Sequence, residues 1–208
     1  MFTIADETAY VTSAMGQNRD ELIATKGAAI EAGAILSLSF PKTLKRAIGE
    51  RTVERVQSLF MKISVVKDAL AAARTGLGES GVRAMHDVTE GGVLSAAMEL
   101  AEASGLRVQV DSESIPVVEE VGEVCKFFRI DPLYSLGQGC LLIASKPNRT
   151  QYIMADLRKK GIESEVIGRL TRNRAHHVIR KGKTRHLRYP KSDPYWRAYA
   201  NAVKRGLD

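Results

Sequence analysis

Long apolar runs are missing from this 208-residue chain, and cysteine is almost missing. No stretch of about 18 or more apolar residues occurs, so no conventional membrane-spanning helix is expected. The opening residues, Met1-Phe2-Thr3-Ile4-Ala5-Asp6-Glu7, carry neither a basic region nor an apolar block and do not read as a secretory signal. The two cysteines, Cys125 and Cys140, stand outside any metal-ligand spacing. A reduced, cytoplasmic protein with two buried thiols is the simple expectation, with a disulfide between them left open. Carboxylates are missing from one stretch: residues 169–191 hold nine Lys/Arg and three His but no Asp or Glu. Residues 169–208 carry a net charge of +10 against −3 for residues 1–168, so the basic excess belongs to the tail. Such a patch can attract RNA, DNA or anionic ligands by counterion release. Aromatic residues for base stacking are also lacking there, Tyr189 alone falling inside it. A solvated face, or a patch steering a phosphorylated substrate, is therefore the plainer reading.

What is present is an ordinary globular composition, 44% hydrophobic and 26% charged. The pattern predicts strands over residues 21–25, 82–85, 106–110, 140–144 and 163–167, and a hairpin of 176–179 with 185–187 around Lys181-Gly182-Lys183. Residues 9–15 read as a short first strand or a lead-in segment. Helices are predicted over residues 28–38, 42–48, 51–61, 65–74, 93–104, 117–128 and 147–160, and a last one opens at Ser192-Asp193-Pro194. In the 51–61 helix, Val53, Val56, Leu59 and Phe60 share one face. In the 93–104 helix, Leu94, Ala97, Met98 and Ala101 form the apolar face, opposite Ser95, Glu99 and Glu102, and Gly105 stops it. Mixed strands and helices with a helix-heavy first third imply an α+β layered domain with a mixed sheet.

The most informative stretch is His86-Asp87-Val88-Thr89-Glu90-Gly91-Gly92. A strand runs into an acidic, hydroxyl-bearing turn, and two glycines open a helix. A helix N-terminus leaves free N–H groups and the positive end of the dipole, which suits phosphate or an activated acyl group. The competing reading is that Asp87 or Thr89 is a helix cap and the glycines allow close packing. His86 is balanced between proton transfer or phosphate contact and a structural hydrogen bond. Glu90 ranks lower, as a cap, a solvent-facing charge or a substrate contact. Lys26, between a strand and a helix, can reach a phosphate as a point charge or be a solvated lysine. Gly137-Gln138-Gly139 mainly serves the tight turn into a buried strand, with a Gln138 ligand contact as the lesser alternative.

Several blocks in order carry a resemblance: ELIATKGAAIEAGAIL (21–36), HDVTEGGV (86–93), ELAEASGL (99–106), IPVVEEVGEVCKFFRIDPL (115–133), GQGCLLIA (137–144), GIESEVIGRL (161–170) and SDPYWRAY (192–199). Together the sequence resembles the C-terminal domain of the AIR synthase-related superfamily, which includes AIR synthase, selenophosphate synthetase, thiamine-monophosphate kinase and the hydrogenase expression/formation protein of E type. The resemblance implies a three-layer α/β/α-type domain with a mixed sheet over residues 21–208, after a lead-in segment 1–20. It implies ATP and Mg²⁺ as cofactors in a biosynthetic or hydrogenase-maturation-type reaction. Asp87 and His86 would be the catalytic candidates, Asp87 on the metal side, with Thr89, Gly91, Gly92 and Lys26 at the nucleotide. Two departures matter. The usual N-terminal ATP-binding domain is absent from these residues, so the expectation is half of an active site, completed by a separate domain or partner protein. The chain also lacks the terminal cysteine on which the hydrogenase-type enzymes carry their carbamoyl group, and its Thr-Glu-Gly-Gly turn differs from the Gly-Gly-Gly type of AIR synthase, so the substrate does not carry over. A homodimer or a monomer remains open, and the alternatives to catalysis are an anion- or partner-binding module or a nucleic-acid-binding protein using residues 169–191.

Overall fold

The computed structural model describes residues 10–208. The part of the lead-in segment before Tyr10, including Ala9, lies outside the described residues. From Tyr10 onward there is no first strand: Ser13–Met15 forms a 3-10 turn capped by the Thr12 hydroxyl. Seven strands follow, β1 (Glu21–Thr25), β2 (Val82–Asp87), β3 (Arg107–Asp111), β4 (Leu141–Ser145), β5 (Ser164–Thr171), β6 (His177–Arg180) and β7 (Lys183–His186). They form one mixed sheet in the order β2-β4-β1-β5-β3-β6-β7. Its pairings are antiparallel except β3 with β6.

Among the described residues eight α-helices accompany the sheet: α1 (Ile30–Ser39), α2 (Pro41–Ile48), α3 (Glu50–Ser58), α4 (Val66–Ala73), α5 (Gly92–Ala103), α6 (Glu119–Phe128), α7 (Pro147–Lys159) and α8 (Pro194–Lys204). Strand alternation sorts the apolar side chains to two faces. Leu22, Ala24, Ala84, Leu142 and Ala144 pack with Leu94, Ala97, Met98 and Ala101 of α5. Ile23, Val82, Leu141 and Ile143 pack with Ala71 and Ala72 of α4 and Ile153 and Leu157 of α7. That gives the expected layers of helix, sheet and helix. A separate helical core joins α1, α2, α3, α6 and α8 around Leu36, Phe40, Val53, Val56, Val124 and Tyr195.

The helix predicted to run on to Met61 stops at Ser58, and a 3-10 turn covers Leu59–Lys62. The tighter winding rotates Phe60 off the face shared by Val53 and Val56 and leaves it 40% exposed. Both cysteines are buried and free, which closes the question of a disulfide between them. No helix among the described residues is long and apolar enough to cross a membrane.

Candidate functional site

One end of the sheet collects the residues that the sequence singles out. Thr25 at the end of β1 pairs with Ser164 at the start of β5, and Asp87 at the end of β2 pairs with Leu141 at the start of β4. Lys26 and the 86–92 turn therefore emerge at the same end. The loop before β4 lies between them and is bonded to both sides. The Val88 N–H donates to the Cys140 carbonyl at 3.0 Å, and the Gly137 N–H to the Thr89 carbonyl at 3.2 Å. The Leu141 N–H donates to Thr25 Oγ1 at 3.0 Å, and the Gln138 N–H to Glu31 Oε2 at 3.3 Å. Gln138 is exposed in the middle of this group, Asp87 is exposed at its side, and Thr89 is half-buried.

The turn into α5 depends on its two glycines. Gly91 is the N-cap at φ 80°, and Gly92 follows at φ 69°. A Cβ on Gly92 would stand 2.6 Å from the Leu133 carbonyl oxygen, so backbone passes backbone here without room for a side chain. Neither Asp87 nor Thr89 caps the helix. The Gly91 N–H donates to Oδ2 of Asp193 at 2.8 Å, and Oδ1 of the same carboxylate accepts the Tyr195 N–H at 2.8 Å. One buried carboxylate thus closes the N-termini of α5 and α8 together. Burial pushes the Asp193 carboxyl above its ordinary range, and the N–H groups of Gly91 and Tyr195 pull the other way. The Gly92 N–H turns back to the Thr89 carbonyl at 3.3 Å. The negative group that the sequence places at this helix end is, in the folded chain, one of its own.

His86 and Lys26 are more heavily bonded than free reactive groups would be. His86 Nδ1 lies 2.9 Å from the Ser13 hydroxyl and Nε2 lies 3.0 Å from Glu99 Oε2. The ring fastens β2 to the first 3-10 turn and to α5. Lys26, at φ 60°, sends its ammonium to the carbonyls of Lys62 at 3.2 Å and Ser64 at 3.0 Å and to Asp68 Oδ2 at 3.1 Å. Three N–H donors meet three acceptors, so the expected reach to a phosphate is spent inside the protein. Asp68 is 2% exposed and also accepts from the Thr25 hydroxyl at 2.7 Å, which makes this an internal brace. Among the described residues no group of three or more His, Cys, Asp or Glu is placed to hold a metal ion. As a metal ligand Asp87 would need companions from outside the described residues.

Two neighbours of the site escaped the sequence. Asp193 reads as a helix start, which it is, but nothing local announces its second bond to Gly91. Glu31 sits in the first turn of α1 against Gln138; burial raises its carboxyl, the Gln138 N–H lowers it and the Asp193 charge raises it. Glu90, ranked low, accepts from the Trp196 indole at 2.9 Å. The basic stretch forms the β6–β7 hairpin at the sheet edge, where all four β7 residues are exposed.

Comparison with known proteins gives consistent matches. A family model described as AIR synthase related protein, C-terminal domain, matches residues 19–181. The carbamoyl dehydratase HypE of Rhizobium leguminosarum bv. viciae is 26% identical over 174 residues, covering 79% of this chain and 48% of that protein. The crystal structure of Escherichia coli HypE, a hydrogenase maturation protein, superposes with a TM-score of 0.65 at 20% identity, over 91% of this chain and 55% of that one. A structure of HypE in complex with ATP matches with a TM-score of 0.64 at 20% identity, over 89% of this chain and 55% of that one. The chain spans about half the length of these relatives.

Proposed function

This chain belongs to the AIR synthase related protein, C-terminal domain family, and from that premise we propose that it forms one wall of an ATP-dependent active site of the hydrogenase-maturation type. The observation that carries the reading is the convergence of the 86–92 turn and the Gln138 loop on one sheet end, with Asp87 and Gln138 exposed there and Thr89 half-buried. A second domain or polypeptide supplies the rest of the nucleotide site. ATP with Mg²⁺ would supply the activating phosphoryl group. On this side of the cleft, Thr89 offers a hydroxyl to a phosphate, and Asp87 would orient the substrate or stand as a carboxylate on the metal side. Gly91 and Gly92 let the turn pack against Ser95 and the Leu133 backbone, which fixes the segment that carries Asp87 and Thr89. His86 acts as a positioning residue that fixes the end of β2, and Lys26 as the brace of the 62–64 loop.

Calorimetric titration of the chain with ATP and Mg²⁺ tests the reading. Saturable binding that weakens about tenfold or more in Asp87→Ala and Thr89→Val is expected, the size of one or two lost charge-assisted contacts. Binding unchanged in both variants would take the nucleotide away from the turn. A folded chain that binds no nucleotide would move the whole phosphate site onto the second polypeptide.

A further inference from the structure

A groove of about 1070 Å³ runs between the end of α6 and the length of α8. Its floor is apolar, with Phe127, Phe128 and Ile130 on one side and Ala198 and Ala202 on the other. Its rim is basic. Lys126 and Arg129 stand on the α6 side, and Arg197, Lys204 and Arg205 on the α8 side, against Glu123 as the one carboxylate in the lining. Positions 197, 201, 204 and 205 recur at helical spacing, so Arg197, Asn201, Lys204 and Arg205 fall on one face of α8. Arg129 is held on the rim by the left-handed C-cap of α6, at φ 54°, a conformation that a side-chain-bearing residue adopts at a cost. Cations that reach α6 and its end from other elements find protein partners: Arg55 of α3 reaches Glu120 of α6 at 2.7 Å, and Arg180 of β6 reaches Asp131 just beyond it at 3.3 Å. Among the described residues, none of the five rim cations makes such a pair.

We propose that this groove docks an acidic, amphipathic segment of a partner protein, laid along α8 with its apolar side on the phenylalanine floor and its carboxylates on the two basic rims. The dimensions favour a peptide over a metabolite. Small-molecule pockets run to about 300–1,000 Å³ and enclose their ligand, whereas this one is open along an 11-residue helix, about 16 Å long. Five cations facing one carboxylate require negative charge in the occupant. The floor rings are unsuited to stacking on nucleic-acid bases, because Phe127 meets Phe128 edge-on at 5.0 Å and Phe128 also packs on Phe40. A lipid surface is disfavoured by shape: the apolar area lies at the bottom of a concave groove, and Trp196 on the outer side of α8 is tied to Glu90.

The test is fluorescence anisotropy with a labelled Leu/Glu amphipathic helical peptide of about 14 residues, long enough to cover α8. A Leu/Lys peptide of the same pattern and anionic phosphatidylglycerol vesicles serve as competitors for the assignment. Binding of the Leu/Glu peptide alone is expected, weakening as salt rises from about 50 to about 300 mM. It should fall by about tenfold or more in the double variant Arg197→Glu, Lys204→Glu, whose exposed positions leave the circular dichroism spectrum unchanged. An independent pair, Lys126→Glu with Arg129→Gly, should do the same from the other rim. Equal binding of both peptides, an affinity indifferent to both variants, or capture by vesicles in place of the peptide would each overturn the proposal.

Discussion

His176 shows how much a single side chain can decide. Its Nδ1 accepts the Val108 N–H at 3.1 Å, and its Nε2 faces Glu102 Oε1 at 3.0 Å. Accepting at Nδ1 requires that nitrogen to be unprotonated, so the ring is held neutral with its proton on Nε2. Burial is the main influence and lowers the ring's pKa below 6.5, while the Glu102 hydrogen bond and charge raise it and Arg107 and His177 lower it further. A histidine with a depressed folded pKa binds fewer protons folded than unfolded. Its contribution to stability is therefore complete above pH 6.5 and is lost as the pH falls through the lower folded value. Urea midpoints should drop between pH 7.5 and pH 5.5, and the drop should shrink in His176→Asn, whose side-chain oxygen can still accept from Val108. Parallel pH profiles for the two proteins would remove His176 as the cause. The sequence marks His176 only as one of three histidines in a basic run, because its partners lie in β3 and α5.

Between elements, Asp193 is the bond that local patterns could not reveal. Its own helix start was legible, since Asp-Pro opens α8 with proline in the first turn. The second oxygen reaches α5, which starts about a hundred positions earlier, and only the packing of α8 beside α5 brings them together. Asp193→Ala should leave the Gly91 and Tyr195 N–H groups without their acceptor and cost about 2–4 kcal/mol, read from urea unfolding. A loss below about 0.5 kcal/mol would mean that water replaces both bonds. The elements themselves were largely readable, for stated reasons. β4 is buried throughout and apolar up to Ser145 because it is covered on both faces, whereas α5 is buried nearly all round, Ser95 included, although the sequence set Ser95 opposite the apolar face. Glu99 and Glu102 read as solvent-facing on that helix, yet they hold His86 and His176, since a polar face of a buried helix still needs partners. Strand order was not readable: neighbours such as β1 and β4 pair across more than half the chain.

At the scale of the whole molecule, the layered domain and the family follow from an ordered series of short blocks, none of them decisive singly. The cysteines give a direct check on that packing. Burial pushes both thiols up to about 12, so neither forms a reactive thiolate near neutral pH. A colorimetric thiol reagent should find no accessible thiol in the native protein and two after unfolding. Fast reaction of one thiol in the native state would show that its core opens readily.

The strand order also says something about assembly. β3 lies between β5 and β6, antiparallel to the first and parallel to the second. The short link from β5 to β6 therefore passes over the end of β3, and His176, bonded to Val108, sits in that link. β3 occupies a slot whose walls are made of chain that follows it by some sixty positions or more. A ribosome releases β3 long before the slot exists, so its edges stay unpaired until the last third of these residues has emerged. Refolding should accordingly place β3 late, after the link has closed over it, with the hairpin beyond it completing the sheet.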